Sequence, residues 1–191
     1  IEEVFMGNVV SAGLGQAPAR QASILAGIPA SVGATAINKV CGSGLKGVML
    51  AANAIRAGEG DLFIAGGMES MSRAPFLVDG RTGSLRFGHS QLVDALLHDG
   101  LWDSFEDLGM GNLAEFIAQE FGVTRQAMDE YAYRSHQKAI AAIDSGAFKE
   151  EVVPVELPGK KGAVTIFDTD EPPRRDTSLE GLAKLKPAFQ K

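Results

Sequence analysis

The chain has a single cysteine, and that scarcity excludes a good deal. One thiol cannot form an internal disulfide, which points to a reducing compartment and a cytoplasmic location. There is no second thiol to complete a metal centre, and His89, His98 and His136 stand at no metal-ligand spacing with Cys41 or with carboxylates. Positive charge is also short: 18 Lys and Arg against 24 Asp and Glu leave a net charge of −6. Nonspecific nucleic-acid binding needs a basic surface and is not expected. A phosphorylated small molecule needs only a local basic patch and stays open. No apolar run approaches membrane-spanning length and no signal peptide is visible, so no membrane partner is expected. The 23 glycines follow no repeat. Gly66-Gly67 lacks the third glycine and the following helix of a dinucleotide fingerprint, which argues against a nicotinamide site.

What is present is ordinary globular material, with 45% apolar and 22% charged residues in 191. That length fits one domain or one and a half. Residues 4–10 read as a strand, 19–26 as a helix and 35–40 as a short strand. Residues 43–57 form a helical pattern with Leu45, Val48, Met49, Ala52 and Ile55 on one face, closed by Gly58. Residues 61–65 read as a buried-type strand stopped by Gly66-Gly67. Strand, helix and strand in this order predict a βαβ unit with a parallel sheet. After residue 72 the periodicity weakens. Residues 73–90 carry Pro75, Gly80, Gly83 and Gly88 and read as an excursion. Helices are expected near 93–98, 111–121 and 124–145, with Thr124 as an N-cap and Gly146 as a closing glycine. Two short strands flank a Gly-Lys-Lys-Gly turn, and 179–185 reads as a last helical turn.

Cys41 stands where the second strand pattern ends and the long helix begins. A thiol there feels unpaired backbone N–H groups and the positive end of the helix dipole, and both favour the nucleophilic thiolate. Gly42 and Gly44 leave room beside the sulfur for an acyl group. The alternative is a small buried hydrophobe.

Several stretches, taken in order, resemble the thiolase family, the acetyl-CoA C-acyltransferases. They are Gly15-Gln16-Ala17-Pro18-Ala19-Arg20-Gln21-Ala22, the segment from Asn38 to Gly47, and Ala65-Gly66-Gly67-Met68-Glu69-Ser70-Met71-Ser72. Further along come Gly100-Leu101-Trp102-Asp103, Gly109-Met110-Gly111-Asn112-Leu113-Ala114-Glu115, and Thr177 to Phe189. The resemblance implies an α/β fold of the thiolase-like layered type. In that family two similar halves make an αβαβα arrangement, with a mainly helical loop domain inserted in the first. Residues 1–72 resemble part of the N-terminal α/β domain without its opening strand. Residues 73–191 resemble the loop domain that covers the active site and binds coenzyme A. The second half, with its Gly-His-Pro and Cys-x-Gly-Gly-Gly segments, has no counterpart here and is expected to be required. The chain alone is expected to turn over little substrate.

By the same resemblance Cys41 is the catalytic residue, carrying the acyl group as a thioester in a ping-pong transfer. Met110 and Leu101 line the acyl and pantetheine pocket. Gly109 stands where many biosynthetic relatives have a histidine, which permits a roomier pocket. Arg174 lies near the phosphorylated end of coenzyme A, where its planar fork suits phosphate. Arg175, Lys160, Lys161 and Lys184 are candidates for added local positive potential. His98 and His136 read as helix-surface residues, and Glu69 as a structural hydrogen-bonding group at a strand end. Acyl-CoA and coenzyme A are the expected substrates, with no permanently bound cofactor. A homodimer or homotetramer is expected, with residues 73–88 packing on a neighbouring subunit. A non-catalytic coenzyme A-binding or assembly subunit remains the alternative.

Overall fold

The structure, a computed structural model, describes residues 1–80, 85 and 87–190. Gly83, named above in the excursion, lies outside the described residues, as does the side chain of Lys161. The chain divides into two compact units, Ile1–Met110 and Gly111–Lys191. The described residues among 73–110, grouped in the sequence reading with the insertion, fall in the first unit.

The first unit is built on a parallel sheet of β1 (Glu3–Gly7), β2 (Gly33–Ile37) and β3 (Phe63–Gly67), in the order β2-β1-β3. Helices α1 (Pro18–Leu25) and α2 (Ser43–Ala57) make the two crossovers, as a parallel sheet requires. The register sets Gly7 opposite Ile37 on one side and Gly67 on the other, so all three strands end level. In open parallel sheets that carboxyl edge is where ligands bind. Val4 and Phe5 are buried in β1, and the Phe5 ring stacks on Phe63 at 6.1 Å. In α1, Ala19 and Ser23 face inward, while Arg20 and Gln21 hold the flanking loops. Arg20 donates to the carbonyls of Val32 and Ala30, and Gln21 Nε2 to those of Leu14 and Gln16.

One expectation changes here: β3 runs through Gly66 and Gly67 instead of stopping before them. The large apolar stripe of α2 does not face the sheet. The buried residues of the helix are Ser43, Gly47, Ala51 and Ala54, while Leu45 is 68% exposed and Val48 52%. The reason is spacing. A Cβ built on Gly47 would come within 3.3 Å of the Phe5 carbonyl oxygen, and one on Gly7 within 2.7 Å of Ser43 Cβ. Only small residues allow helix and strand to approach so closely.

The described remainder of the first unit includes two short pairings: β4 (Phe76–Leu77) with β5 (Val93–Asp94), and β6 (Trp102–Asp103) with β7 (Leu108–Gly109). Residues 93–98, expected as a helix, instead divide between β5 and a π-helical turn, Leu96–Leu101. Asp94 causes the switch: its Oδ1 accepts the backbone N–H of Leu96 at 2.9 Å and starts the turn one residue after the strand.

The second unit contains most of α3 (Met110–Glu120), then α4 (Arg125–Asp144), the hairpin β8 (Val155–Pro158) and β9 (Val164–Phe167), and α5 (Leu179–Ala183). Thr124 caps α4, accepting the Ala127 N–H at 3.2 Å, and Gly146 closes it at φ +72°. Arg125 joins α4 to the end of α5 through the carbonyls of Leu182 and Leu185. Among the described residues no helix is long and apolar enough to cross a membrane.

Candidate active site

Cys41 sits on a locked turn between β2 and α2. Asn38 Oδ1 accepts the Val40 N–H at 3.0 Å. Ser43 Oγ accepts the Lys39 N–H at 2.9 Å and donates to the Val40 carbonyl at 2.6 Å. Gly42 and Ser43 return their own N–H groups to the carbonyls of Lys39 and Val40. The turn forces Val40 to φ +47°, a region β-branched residues rarely enter. Gly42 is the N-cap of α2 and offers no side chain there, so Cys41 stands one residue ahead of the helix mouth. The first intrahelical bond runs from Lys46 N to Gly42 O, and the N–H groups of Gly44 and Leu45 precede it without an intrahelical acceptor.

The thiol is exposed. It opens on a cleft of about 860 Å³, lined also by Val9, Asn38, Val40, His98, Trp102, Phe105 and Met110 among others. That volume is within the range of small-molecule sites. Cys41 and Met110, 69 positions apart in sequence, therefore share one cavity wall. Leu101 is not among the lining residues, although its neighbours Gly100 and Trp102 are. Part of the wall is the β6–β7 hairpin, whose turn locks itself. Asp103 Oδ1 accepts the N–H groups of Phe105 and Glu106, and Asp107, at φ +53°, accepts the Trp102 indole N–H at 2.8 Å. Gly109 pairs with Trp102 across that hairpin. His98, read from sequence as helix surface, lines the cleft and contacts Asp99 at 2.9 Å.

Glu69 holds another part of the wall. Its carboxylate accepts from Asn8 Nδ2 at 3.1 Å, Val9 N at 2.7 Å and Val10 N at 3.1 Å. Asn8, buried, also donates to the Met68 carbonyl, and its backbone N–H to the Ile37 carbonyl, so it ties together the ends of all three strands. This is the structural role expected of Glu69.

Arg174 belongs to the second unit, in the segment between β9 and α5. Its side chain is 72% exposed, and its Nε lies 3.9 Å from Asp176 Oδ1. Arg175 is committed elsewhere. It grips Asp144 through two bonds, 2.6 and 3.0 Å, which hold the Asp144 carboxyl below the usual carboxylate range and the Arg175 guanidinium above its own. Lys184 pairs with Glu180 one turn away.

A family model described as the thiolase N-terminal domain matches residues 1–191. The chain belongs to the thiolase family. It is 52% identical over 191 residues to an acetyl-CoA acetyltransferase of Pseudomonas aeruginosa, a match that spans all of this chain and 49% of the relative. A probable acetyl-CoA acetyltransferase of Escherichia coli is 56% identical over 190 residues, covering 99% of this chain and 48% of its own length. The crystal structure of the Bacillus anthracis acetyl-CoA acetyltransferase superposes with a TM-score of 0.92 at 34% identity, covering all of this chain and 48% of that one. This thiolase chain thus has the thiolase-like α/β fold, and it spans about half the length of the relatives it matches.

Within this thiolase chain the cleft brings together Cys41 and Met110 and adds His98, read from sequence as helix surface, and Trp102 and Phe105, to which the sequence reading gave no role. A signal for the last two was there: an aromatic pair between Gly100 and Gly109 in a segment with no helical periodicity. His98 carried no such signal, because its place depends on the π-helical turn.

Proposed function

We propose that this chain supplies the acyl-accepting cysteine of a thiolase that transfers acyl groups between 3-oxoacyl-CoA and coenzyme A. The reading is carried by an exposed thiol at the carboxyl edge of a parallel sheet, ahead of a helix N-terminus and open to a ligand-sized cleft. Cys41 Sγ attacks the keto carbon of the substrate. The bond between that carbon and C2 breaks, its electron pair leaves with C2, and C2 takes a proton, so acetyl-CoA departs. The acyl group stays on Cys41 as a thioester until the thiolate of a second coenzyme A displaces it. Run backwards, the same steps condense two acyl-CoA molecules. The backbone N–H of Cys41 is one donor to the tetrahedral oxyanion.

Met110 borders the acyl and pantetheine portion of the ligand, and Arg174 takes a phosphate of coenzyme A. Coenzyme A is a substrate in this scheme, with no resident cofactor. The groups that activate Cys41 and move protons on C2 come from the segments assigned above to the second half of the family fold. A homodimeric or homotetrameric, cytoplasmic enzyme completes the proposal.

The test is covalent. Protein expressed from the whole reading frame is incubated with isotopically labelled 3-oxoacyl-CoA and digested, and its peptides are weighed. The acyl mass belongs on the peptide holding Cys41 and disappears in Cys41→Ser. Label on another residue refutes the assignment. Tight coenzyme A binding without any label replaces it with the non-catalytic binding subunit.

A further inference from the structure

Residues 174 and 175 are neighbours with opposite fates. The Arg175 guanidinium is consumed by Asp144. The backbone N–H of Arg174 donates to Nδ1 of His136 at 3.1 Å, while among the described residues the Arg174 guanidinium keeps only a 3.9 Å approach to Asp176. His136 and Asp144 both belong to α4, eight residues or about 12 Å apart along it. To accept this bond the half-buried imidazole must be neutral with its proton on Nε2. The segment is thus pinned at two points, one on each side of the Arg174 Cα, and the tip of Arg174 is left open. An arginine fixed at its main chain and free at its fork loses less freedom when it meets a planar or tetrahedral anion.

We propose that His136 is a positioning residue that holds the main chain of Arg174 so that its guanidinium meets a phosphate group of coenzyme A. The proposal rests on the role given to Arg174 under Proposed function. His136 acts through the Arg174 N–H.

Calorimetric titration of the whole-frame protein with coenzyme A, and with pantetheine, which carries no phosphate, tests it. His136→Ala raises the Kd for coenzyme A by about three- to tenfold, the worth of one hydrogen bond, and leaves pantetheine binding unchanged. His136→Asn, whose Oδ1 falls near the place of Nδ1, restores affinity. His136→Gln, whose amide reaches toward the place of Nε2, does not. Arg174→Ala weakens coenzyme A by about tenfold or more, and adding His136→Ala to it costs nothing further. If Arg174→Ala leaves coenzyme A affinity intact, the phosphate role of Arg174 fails and this proposal with it. If Arg174→Ala weakens binding but His136→Ala does not, only the positioning role is overturned. Equal loss for coenzyme A and pantetheine in His136→Ala, or additive losses in the double variant, also overturns it.

Discussion

Gly7→Ala is the sharpest single perturbation of the cysteine's seat. The added Cβ would lie 2.7 Å from Ser43 Cβ, 3.0 Å from Gly44 N and 3.1 Å from Ser43 C. Relaxed carbon contacts are about 3.5–4.0 Å, so roughly 1 Å of movement is needed. Two of the three obstacles are backbone atoms, and the third is a Cβ whose Oγ is bonded in the Cys41 turn. No side chain can swing aside, so α2 must lift from β1. Overpacking of this kind costs about 1–3 kcal/mol, and rigid neighbours place this case near 2–3. The lift passes through Ser43 to the turn that carries Cys41, and a misplacement near 1 Å slows a positioned reaction by up to about 100-fold. Gly33→Ala is the control. The three atoms nearest its Cβ would all belong to the Glu3 side chain, the closest at 3.5 Å, an ordinary contact. Urea unfolding and the rate of Cys41 acylation, measured on both variants of the whole-frame protein, decide the matter. Gly7→Ala should lose about 2 kcal/mol and most of the acylation rate, and Gly33→Ala neither. Matching unfolding midpoints with a wild-type acylation rate in Gly7→Ala would refute the argument that glycine contact sets the position of the thiol.

Glu69→Ala strips acceptors from the N–H groups of Val9 and Val10, the latter buried, and from Asn8 Nδ2, which keeps Met68 O. A loss of about 2 kcal/mol is expected in urea unfolding, with Glu69→Gln losing about half because one oxygen remains; an unchanged midpoint in Glu69→Ala would deny Glu69 its role as a clamp. The Asp144–Arg175 pair predicts an acid-sensitive contribution. The carboxyl is lowered in the fold by its hydrogen bonds to Arg175, so the stabilisation is present above the unfolded carboxylate value and lost as pH falls through the lower folded one. The stability gap between wild type and Asp144→Asn should therefore shrink below about pH 4, and also in 1 M salt because the pair is exposed; a gap that widens on acidification would reverse the assigned sign.

The sequence reading succeeded where one local rule dominates. Thr124 and Gly146 bound α4 because a hydroxyl cap and a left-handed glycine act on their own neighbours. Helix α2 falls at residues 43–57 as read, because its start follows a turn and its end a glycine. The reading of faces needed tertiary information. Leu45, Val48, Met49 and Ile55 form a helical stripe, yet the sheet accepts only Gly47, Ala51 and Ala54 on the opposite side. Hydrophobic periodicity locates an apolar face; it does not say which neighbour comes near enough to exclude a Cβ. That depends on Gly7, in a strand 36 positions before Ser43. The same limit explains β3. Gly66 and Gly67 read as a stop, but their pairing with Met6 and Gly7 keeps them in the sheet.

The site separates along the same line. The turn that carries Cys41 is legible because the hydrogen bonds that shape it lie between Asn38 and Lys46. Trp102 and Phe105 reach the cleft only because Asp103 and Asp107 fold their hairpin into a fixed shape, and His98 only because Asp94 shortens a helix into a single π-helical turn. Each of these carboxylates is a short polar side chain bonding to its own neighbourhood, where composition alone suggests a solvated loop. Arg175 is the converse case: as a charge beside Arg174 it reads as added local positive potential, but its two bonds to Asp144 make it an anchor. Separating a presented arginine from a tethered one requires knowing where the nearest carboxylate stands, and for Arg175 that carboxylate is 31 positions away. The turn that carries the thiol is therefore local in sequence, while the residues that shape the space around it are set by acids that a charge count leaves on the surface.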